Sequence, residues 1–372
     1  MNNIATSERV HIAIFGNCNS GKSSLLNAIA GQSVAVVSDI AGTTTDVVQK
    51  SIELPNIGAA LLIDTPGLDD KTELGELRTA QSLKILPKTD IAIVLLPVEQ
   101  SFLERLHALE IPVIKVVSKS DLYPQQNSED AIAVSSVTGE GIPTLLDAIA
   151  RTITTEERYI TEGICNAGDT VLLVMPQDSS APKGRLIKPQ VEVIRELLDR
   201  GCTPVCCQPE GMAAALSALA APPKVIITDS SAFAAVKPLV PQGVALTSFS
   251  ILFARYKGDI ELFHEGAKTL LSLPANAKIL IAEACSHIPQ SEDIGRVKLP
   301  RLLRKKLGEG IEIDIVGGND FPEDLSKYDL IIHCGACMFN RRYVLSRITQ
   351  AKQQGVAMTN YGVAMAAMLG IE

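Results

Sequence analysis

The chain has 372 residues, of which 46% are hydrophobic and 20% are charged, and its formal net charge is −8. This length predicts two or three domains, and the composition excludes a disordered chain. The negative charge argues against a surface that binds nucleic acid along the whole chain, so we do not expect a nucleic-acid partner.

No stretch approaches the roughly 18 unbroken apolar residues that cross a membrane. The first ten residues, MNNIATSERV, lack the basic start and apolar run of a signal peptide. We therefore expect a cytoplasmic protein with no membrane partner. In that reducing compartment the eight cysteines would be thiols or metal ligands rather than disulfides.

Short apolar runs alternate with helical patterns along the chain, which predicts an α/β protein with mainly parallel sheets. We divide the pattern into three domains, at 1–158, 168–272 and 273–372, with a linker in the second half of 151–169. The predicted strands are 10–16, 59–65, 91–97, 112–118, 170–176, 203–209, 224–230, 244–249, 278–284, 311–317, 329–333 and 356–360. The clearest predicted helices are 190–201, 211–221 and 341–355.

The segment GNCNSGKS, residues 16–23, has the spacing of a phosphate-binding loop and stands between an apolar strand and a helix. Backbone N–H groups of such a loop surround a β-phosphate, Lys22 neutralises phosphate oxygens, and the Ser23 hydroxyl coordinates Mg²⁺. An ordinary Gly-rich turn is the alternative. The predicted nucleotide contacts of this loop are Gly16, Asn17, Asn19, Ser20, Gly21, Lys22, Ser23 and Ser24.

Three further motifs follow in the order expected of a guanine-nucleotide site. In DTPG, Asp64 would hold the water shell of Mg²⁺ and the Gly67 N–H would contact a γ-phosphate. In SKSD, the Asp121 carboxylate would accept N1–H and the 2-amino group of guanine, which adenine lacks. Ser118 stands where this motif usually has Asn or Thr, and its shorter side chain is expected to weaken the contact with guanine. The other predicted contacts are Lys119, Ser135 and Ser136.

These motifs resemble the translation-factor-related GTPases, and most closely their tRNA-modification branch. The resemblance covers about 150 residues and implies bound GTP, Mg²⁺ and K⁺, with Thr44 as a second magnesium ligand and Asn19 as a potassium ligand. It also implies that Glu76 orients the attacking water, although Glu76 is equally compatible with a helix surface. The residues implied to act in hydrolysis are therefore Lys22, Thr44, Gly67 and Glu76.

Soft metal ligands occur near the other end of the chain. Cys285 and His287 follow one predicted strand, and His333, Cys334 and Cys337 follow another. In a parallel sheet both loops lie at the carboxyl edge, where open α/β sheets bind ligands. Zinc bound by three cysteines and one histidine fits these residues, and so does a [4Fe–4S] cluster held by three cysteines.

The whole pattern resembles the [FeFe]-hydrogenase maturation GTPases over nearly the full chain. It implies a P-loop GTPase domain followed by two further α/β domains with mainly parallel sheets. It further implies a homodimer formed by the middle domain and a [4Fe–4S] cluster on the third, with the histidines as weaker ligands or hydrogen-bond donors. Such a protein would receive a di-iron precursor from radical-SAM maturases and deliver it to an [FeFe]-hydrogenase. A tRNA-modification GTPase and a zinc-stabilised regulatory GTPase are the alternatives.

Overall fold

The computed structural model describes two compact units of the chain, which meet in sequence at residue 156. The described residues are 8–33, 38–40, 48–69, 79, 81–123, 130–153, 158–176, 186–284, 294–318 and 320–371.

The first unit contains a seven-stranded sheet in the order β2-β3-β4-β1-β5-β6-β7. Its strands are β1 (Val10–Gly16), β2 (Ser38–Ile40), β3 (Val48–Leu54), β4 (Gly58–Asp64), β5 (Ile91–Leu95), β6 (Val113–Ser118) and β7 (Ile132–Val134). Its described helices are α1 (Lys22–Ser33), α2 (Gln100–Ala108) and α3 (Ile142–Thr152), with a 3₁₀ turn at Leu86–Lys88. The central strands β1 and β5 are apolar and buried on both faces, as parallel strands between helices require.

The edge of this sheet is antiparallel. Strand β3 pairs with β4 from Val48 opposite Asp64 to Leu54 opposite Gly58, and β2 pairs with β3. We did not predict β3 as a strand. Its sequence, VQKSIEL, has polar residues at half-buried positions, because an edge pair needs less apolar surface than a central strand.

The second unit begins with a four-stranded parallel sheet in the order β11-β10-β8-β9. Its strands are β8 (Thr170–Val174), β9 (Thr203–Cys207), β10 (Val225–Thr228) and β11 (Ala245–Ser248). The helices are α4 (Lys188–Asp199), α5 (Met212–Ala218), α6 (Phe233–Val236) and α7 (Phe249–Lys257), with 3₁₀ turns at Pro209–Gly211, Ser230–Ala232 and Lys237–Leu239.

A second four-stranded parallel sheet follows, in the order β13-β12-β14-β15. Its strands are β12 (Lys278–Ala282), β13 (Glu312–Val316), β14 (Leu330–His333) and β15 (Ala357–Asn360). The helices are α8 (Ile260–Leu271), α9 (Leu299–Leu307), α10 (Arg341–Gln353) and α11 (Tyr361–Met368), with a short π-helix at Ile294–Lys298.

The two four-stranded sheets share one topology. In each, the second strand in the chain lies at an edge beside the first, while the third and fourth strands extend the sheet on the other side. The direction of winding therefore reverses between the first and third strands, and such a reversal opens a crevice at their carboxyl ends. In the last sheet this crevice lies where β12 and β14 end, next to Cys334.

The domain boundaries in the second unit differ from our prediction. Residues 158–169 do not form a free linker, because Ile160 and Cys165 are buried in the core of the middle domain. Helix α8, which we had placed in the middle domain, packs against the last sheet: Phe263 and Ala267 join its core, and the Thr359 hydroxyl donates to the Phe263 carbonyl. This packing associates Ile160 and Cys165 with the middle domain and helix α8 with the third.

Within the described part of the chain, none of the helices is both long enough and apolar enough to cross a membrane.

Candidate nucleotide and metal-cluster sites

The predicted phosphate-binding loop lies between β1 and α1, and Lys22 is buried inside it. The Lys22 ammonium donates to the carbonyl oxygens of Gly16 (3.0 Å) and Asn17 (2.7 Å). Burial lowers the pKa of Lys22, and the carboxylate of Asp64 opposes that shift. These neutral carbonyls compensate the ammonium only in part, so a phosphate group would be a better partner for it.

Two hard oxygen ligands meet at the start of α1. The Ser23 hydroxyl donates to Asp64 Oδ2 at 2.5 Å, and Asp64 Oδ1 is buried without a hydrogen-bond partner among the described residues. Burial raises the pKa of Asp64, while the bond from Ser23 and the charge of Lys22 lower it. A hydroxyl and a carboxylate with an unused oxygen fit Mg²⁺, which prefers such ligands and retains water.

The DTPG segment packs directly on the phosphate-binding loop. A Cβ atom placed on Gly67 would lie 2.2 Å from Cys18 Sγ, so this close approach requires glycine. Two residues further on, the Asp69 carboxylate accepts the Cys18 N–H at 2.6 Å, and this bond lowers the pKa of Asp69. The sequence did not reveal the role of Asp69, because the residue follows the recognised motif.

The SKSD segment also contacts the loop. The Ser118 hydroxyl donates to the Ser20 carbonyl (2.6 Å), and the Lys119 ammonium donates to the Asn19 carbonyl (2.8 Å). Asn19 and Lys119 have positive φ angles of 58° and 59°, which is uncommon for residues with a side chain. Ser118 thus links the base-binding segment to the phosphate loop.

The base-recognition residues come together at the ends of β6 and β7. The Ser135 hydroxyl donates to Asp121 Oδ1 (2.6 Å) and accepts the Thr138 N–H (3.1 Å). Ser135 is buried and Ser136 is partly exposed. One carboxylate oxygen of Asp121 is thereby fixed, which restricts the orientation of the predicted guanine-binding carboxylate.

Four predicted site residues lie outside the described residues: Thr44, Glu76, Cys285 and His287. Their roles stay predictions.

The Cys334 thiol lies at the crevice of the last sheet. The Cys334 N–H donates to the Ala282 carbonyl (3.0 Å) and continues the pairing of β14 with β12. Cys334 Sγ then accepts backbone N–H groups from Ala284 (3.0 Å) and Ala336 (3.4 Å). Ala284 immediately precedes Cys285 in the sequence, and Cys285 itself lies outside the described residues. Amide donors on a cysteine sulfur stabilise a thiolate, which fits a soft metal centre.

A buried lysine from the middle domain holds the rest of the cysteine loop. Lys257, the last residue of α7, donates to the carbonyls of Ala336 (3.0 Å), Cys337 (3.4 Å) and Phe339 (2.8 Å). Ala336 has a positive φ of 47°, which turns the chain back between the two cysteines. The conformation of the Cys334–Cys337 loop thus depends on a residue outside its own domain.

His333 uses both ring nitrogens within the protein. Arg347 lies 2.9 Å from Nε2, and because arginine can only donate, Nε2 accepts. Nδ1 therefore carries the proton and donates to the Cys334 carbonyl at 2.7 Å. Burial, together with the charge of Arg347, lowers the pKa of His333 to about 3, so the ring is neutral. This geometry favours a positioning role for His333 over ligation.

Within the described ranges, no cluster of three or more His, Cys, Asp or Glu side chains is placed to hold a metal ion. Cys334 and Cys337 are described and lie on one loop, whereas Cys285 and His287 fall outside the described residues. The described side chains therefore contribute two of the three predicted thiols.

Two residues of this site escaped the sequence analysis. Arg347 had a usable signal, because it interrupts the apolar stripe of α10 formed by Tyr343, Val344, Ile348 and Ala351. No sequence signal marked Lys257, since its contacts are with a loop about 80 residues further along the chain.

The fold and the loop geometry define a P-loop GTPase followed by two doubly wound α/β domains. A family model described as a 50S ribosome-binding GTPase matches residues 11–119. Models described as the hydrogen maturase F dimerization domain and the hydrogen maturase F tetramerization domain match residues 160–258 and 261–372. The chain belongs to the hydrogen maturase F family.

Curated relatives match mainly the GTPase portion. The tRNA modification GTPase MnmE of Neisseria meningitidis is 36% identical over 169 residues, covering 42% of this chain and 37% of the relative. MnmE of Methylorubrum populi is 37% identical over 142 residues, covering 37% of this chain and 31% of the relative. The chain thus spans about a third of the length of these relatives.

Solved structures with local similarity include Era of Aquifex aeolicus and the G domain of the T. maritima FeoB iron transporter. Era is 24% identical with a TM-score of 0.32, covering 40% of this chain and 57% of the Era chain. The FeoB G domain is 26% identical with a TM-score of 0.30, covering 39% of this chain and 99% of that chain.

Proposed function

We propose that the chain is a GTP-hydrolysing scaffold that binds a [4Fe–4S] cluster and delivers a di-iron precursor to an [FeFe]-hydrogenase. The observation that carries this proposal is the position of the Cys334 thiol. It lies at the crevice of a hydrogen maturase F domain and accepts two backbone N–H groups. One of those donors immediately precedes Cys285.

The GTPase half follows from the first unit. Lys22 and the loop N–H groups would bind the phosphates, while Ser23 and Asp64 would hold Mg²⁺ directly and through water. Asp121 would select guanine. Thr44 would complete the magnesium shell, and the Gly67 N–H would contact the γ-phosphate. Asn19 would hold K⁺, and Glu76 would orient the attacking water. Hydrolysis would act as a switch for partner exchange rather than as a source of chemical intermediates.

The cluster half rests on three thiols, Cys285, Cys334 and Cys337. A [4Fe–4S] cluster, when bound, would supply an iron that lacks a cysteine ligand and can take another group. The protein fixes the Cys334 sulfur by backbone N–H donors and fixes the loop through Lys257. His333 holds the Cys334 carbonyl and thereby the end of β14.

The expected partners are an [FeFe]-hydrogenase and radical-SAM maturases in the cytoplasm. The chain carries a dimerization and a tetramerization domain, and we propose a homodimer formed by the middle domain as the basic assembly. The hydrogen maturase F models do not favour the tRNA-modification alternative, because they cover the two domains that follow the GTPase domain. Metal analysis distinguishes the proposed iron–sulfur protein from a zinc-stabilised regulatory GTPase.

Potassium is expected to stimulate GTP hydrolysis. Asn19 lies in the phosphate-binding loop, where Lys119 donates to its backbone carbonyl, and we propose that its side chain contributes to a cation site beside the phosphates. Phosphate release should be faster in KCl than in NaCl at the same ionic strength, and faster with GTP than with ATP. Asn19→Ala should remove the difference between the salts. Equal rates of the unmodified protein in both salts would contradict the K⁺ assignment.

Delivery can be tested with a hydrogenase that lacks its di-iron subcluster. The chain, purified after co-expression with the radical-SAM maturases, should activate this apo-hydrogenase, and hydrogen evolution measures the result. The chain expressed without the maturases is the control and should give only background activity. Background activity from both preparations would contradict the delivery role while leaving GTP hydrolysis unaffected.

A further inference from the structure

A buried arginine lies beside the Cys334 loop and has no acidic partner among the described residues. Arg347 is 3% exposed. Its guanidinium donates to the Gly318 carbonyl (2.7 Å), to His333 Nε2 (2.9 Å) and to the Tyr343 hydroxyl. Among the residues that the structure describes, no carboxylate lies within ion-pair distance of it, and Arg347 Nε has no hydrogen-bond partner. All of its acceptors are uncharged.

Aromatic rings flank this guanidinium. Its Cζ lies 4.5 Å from the ring centroid of Phe321 and 4.4 Å from that of Tyr343. Cation–π contact offsets part of the cost of dehydrating the charge, but a ring face carries a quadrupole and no net charge. A buried cation is stable when an anion lies close to it. The described fold supplies the cation and leaves the anion to be identified.

The thiol of Cys334 is the group that can become that anion. Arg347 is linked to it through His333, whose Nε2 accepts from the guanidinium at 2.9 Å and whose Nδ1 donates to the Cys334 carbonyl at 2.7 Å. Cys334 Sγ accepts the N–H groups of Ala284 and Ala336. Burial raises the pKa of Tyr343, so its hydroxyl is neutral. A soft metal centre deprotonates its cysteine ligands, which would place negative charge near Arg347.

We propose that Arg347 is the internal counter-charge of the metal cluster and a positioning residue for His333. This inference rests on the proposed [4Fe–4S] cluster. A cluster held by three thiolates is anionic, and one-electron reduction by an external reductant such as dithionite makes it more negative. A fixed positive charge therefore stabilises the reduced form more than the oxidised form. Burial strengthens the effect, because the interaction is poorly screened.

The test uses potentiometric titration of the anaerobically reconstituted full chain. Arg347→Gln removes the charge and keeps a hydrogen-bonding group, Arg347→Met removes both, and Arg347→Lys keeps the charge. Arg301→Met is the matched control, because it removes one positive charge from an exposed position on α9 of the same domain. The iron content of each reconstituted variant and the melting temperature of its apoprotein are measured in parallel.

At a fixed potential, the ratio of reduced to oxidised cluster in both neutral variants is expected to be about tenfold lower, which corresponds to a midpoint potential about 59 mV more negative. The midpoint potential of Arg347→Lys should lie nearer that of the unmodified protein, and the midpoint potential of Arg301→Met should equal it. Either neutral variant is sufficient if the other fails to fold. An iron-loaded Arg347→Gln or Arg347→Met with an unchanged midpoint would overturn this inference alone. Absence of iron from the unmodified protein would overturn the proposed function and this inference with it.

Discussion

Replacing Lys22 with alanine is expected to weaken GTP binding by about a hundredfold, because a charge-assisted contact with phosphate in a buried loop contributes about 3 kcal/mol. Lys22 is 8% exposed, and within the described part of the chain its ammonium donates to the carbonyls of Gly16 and Asn17. Those carbonyls do not neutralise it, so most of its interaction energy is available to a nucleotide. Calorimetric titration with GTP measures the loss.

The matched control is Lys115→Ala, at a half-buried position in strand β6 of the same sheet. It removes a lysine without touching the phosphate-binding loop, and its GTP affinity should equal that of the unmodified protein. Both variants should bind as much iron as the unmodified protein, because the cysteine loop belongs to the second compact unit. Unchanged GTP affinity in Lys22→Ala would show that the loop does not bind phosphate as proposed.

Replacing Cys334 with alanine is expected to remove most of the iron. Loss of a group that only supports a ligand typically lowers metal affinity by about 10- to 100-fold, and loss of the ligand itself should cost more. The sulfur that accepts the N–H groups of Ala284 and Ala336 would also be missing, so the loop would lose two hydrogen bonds. Hydrogenase activation should stop, while GTP turnover persists.

Two other cysteine variants test the specificity of this result. Cys206→Ala changes an exposed thiol on strand β9 of the middle domain and should leave the iron content unchanged. Cys337→Ala should behave like Cys334→Ala, since both thiols belong to the same loop. Colorimetric iron analysis after anaerobic reconstitution gives the comparison. Full iron retention in Cys334→Ala would show that the ligands have been wrongly assigned.

The sequence was sufficient to predict the central strands and the order of the motifs. Strands such as β1 and β5 lie inside a sheet, so they need continuous apolar runs, and such runs are visible in the sequence. The phosphate-binding loop was predictable because phosphate contact restricts several positions at once. Strand β3 was missed because it belongs to the antiparallel edge of the sheet, where its sequence carries polar residues at half-buried positions.

Contacts between distant segments were not predictable. Helix α8 is amphipathic, but nothing in its sequence indicates which of the two similar sheets its apolar face covers; only its packing shows that it belongs to the third domain. The hydrogen bonds from Lys257 to the cysteine loop likewise depend on how the last two domains pack. Arg347 was detectable as a charge on an apolar helix face, yet its contact with His333, the residue before Cys334, required coordinates.

Metal analysis of the anaerobically reconstituted, unmodified protein tests the central claim most directly. Iron and sulfide are quantified per chain, zinc is measured in the same sample, and EPR is recorded after reduction with dithionite. The account predicts about four iron atoms per chain, a reducible iron–sulfur signal and only trace zinc. Stoichiometric zinc with no bound iron would contradict it.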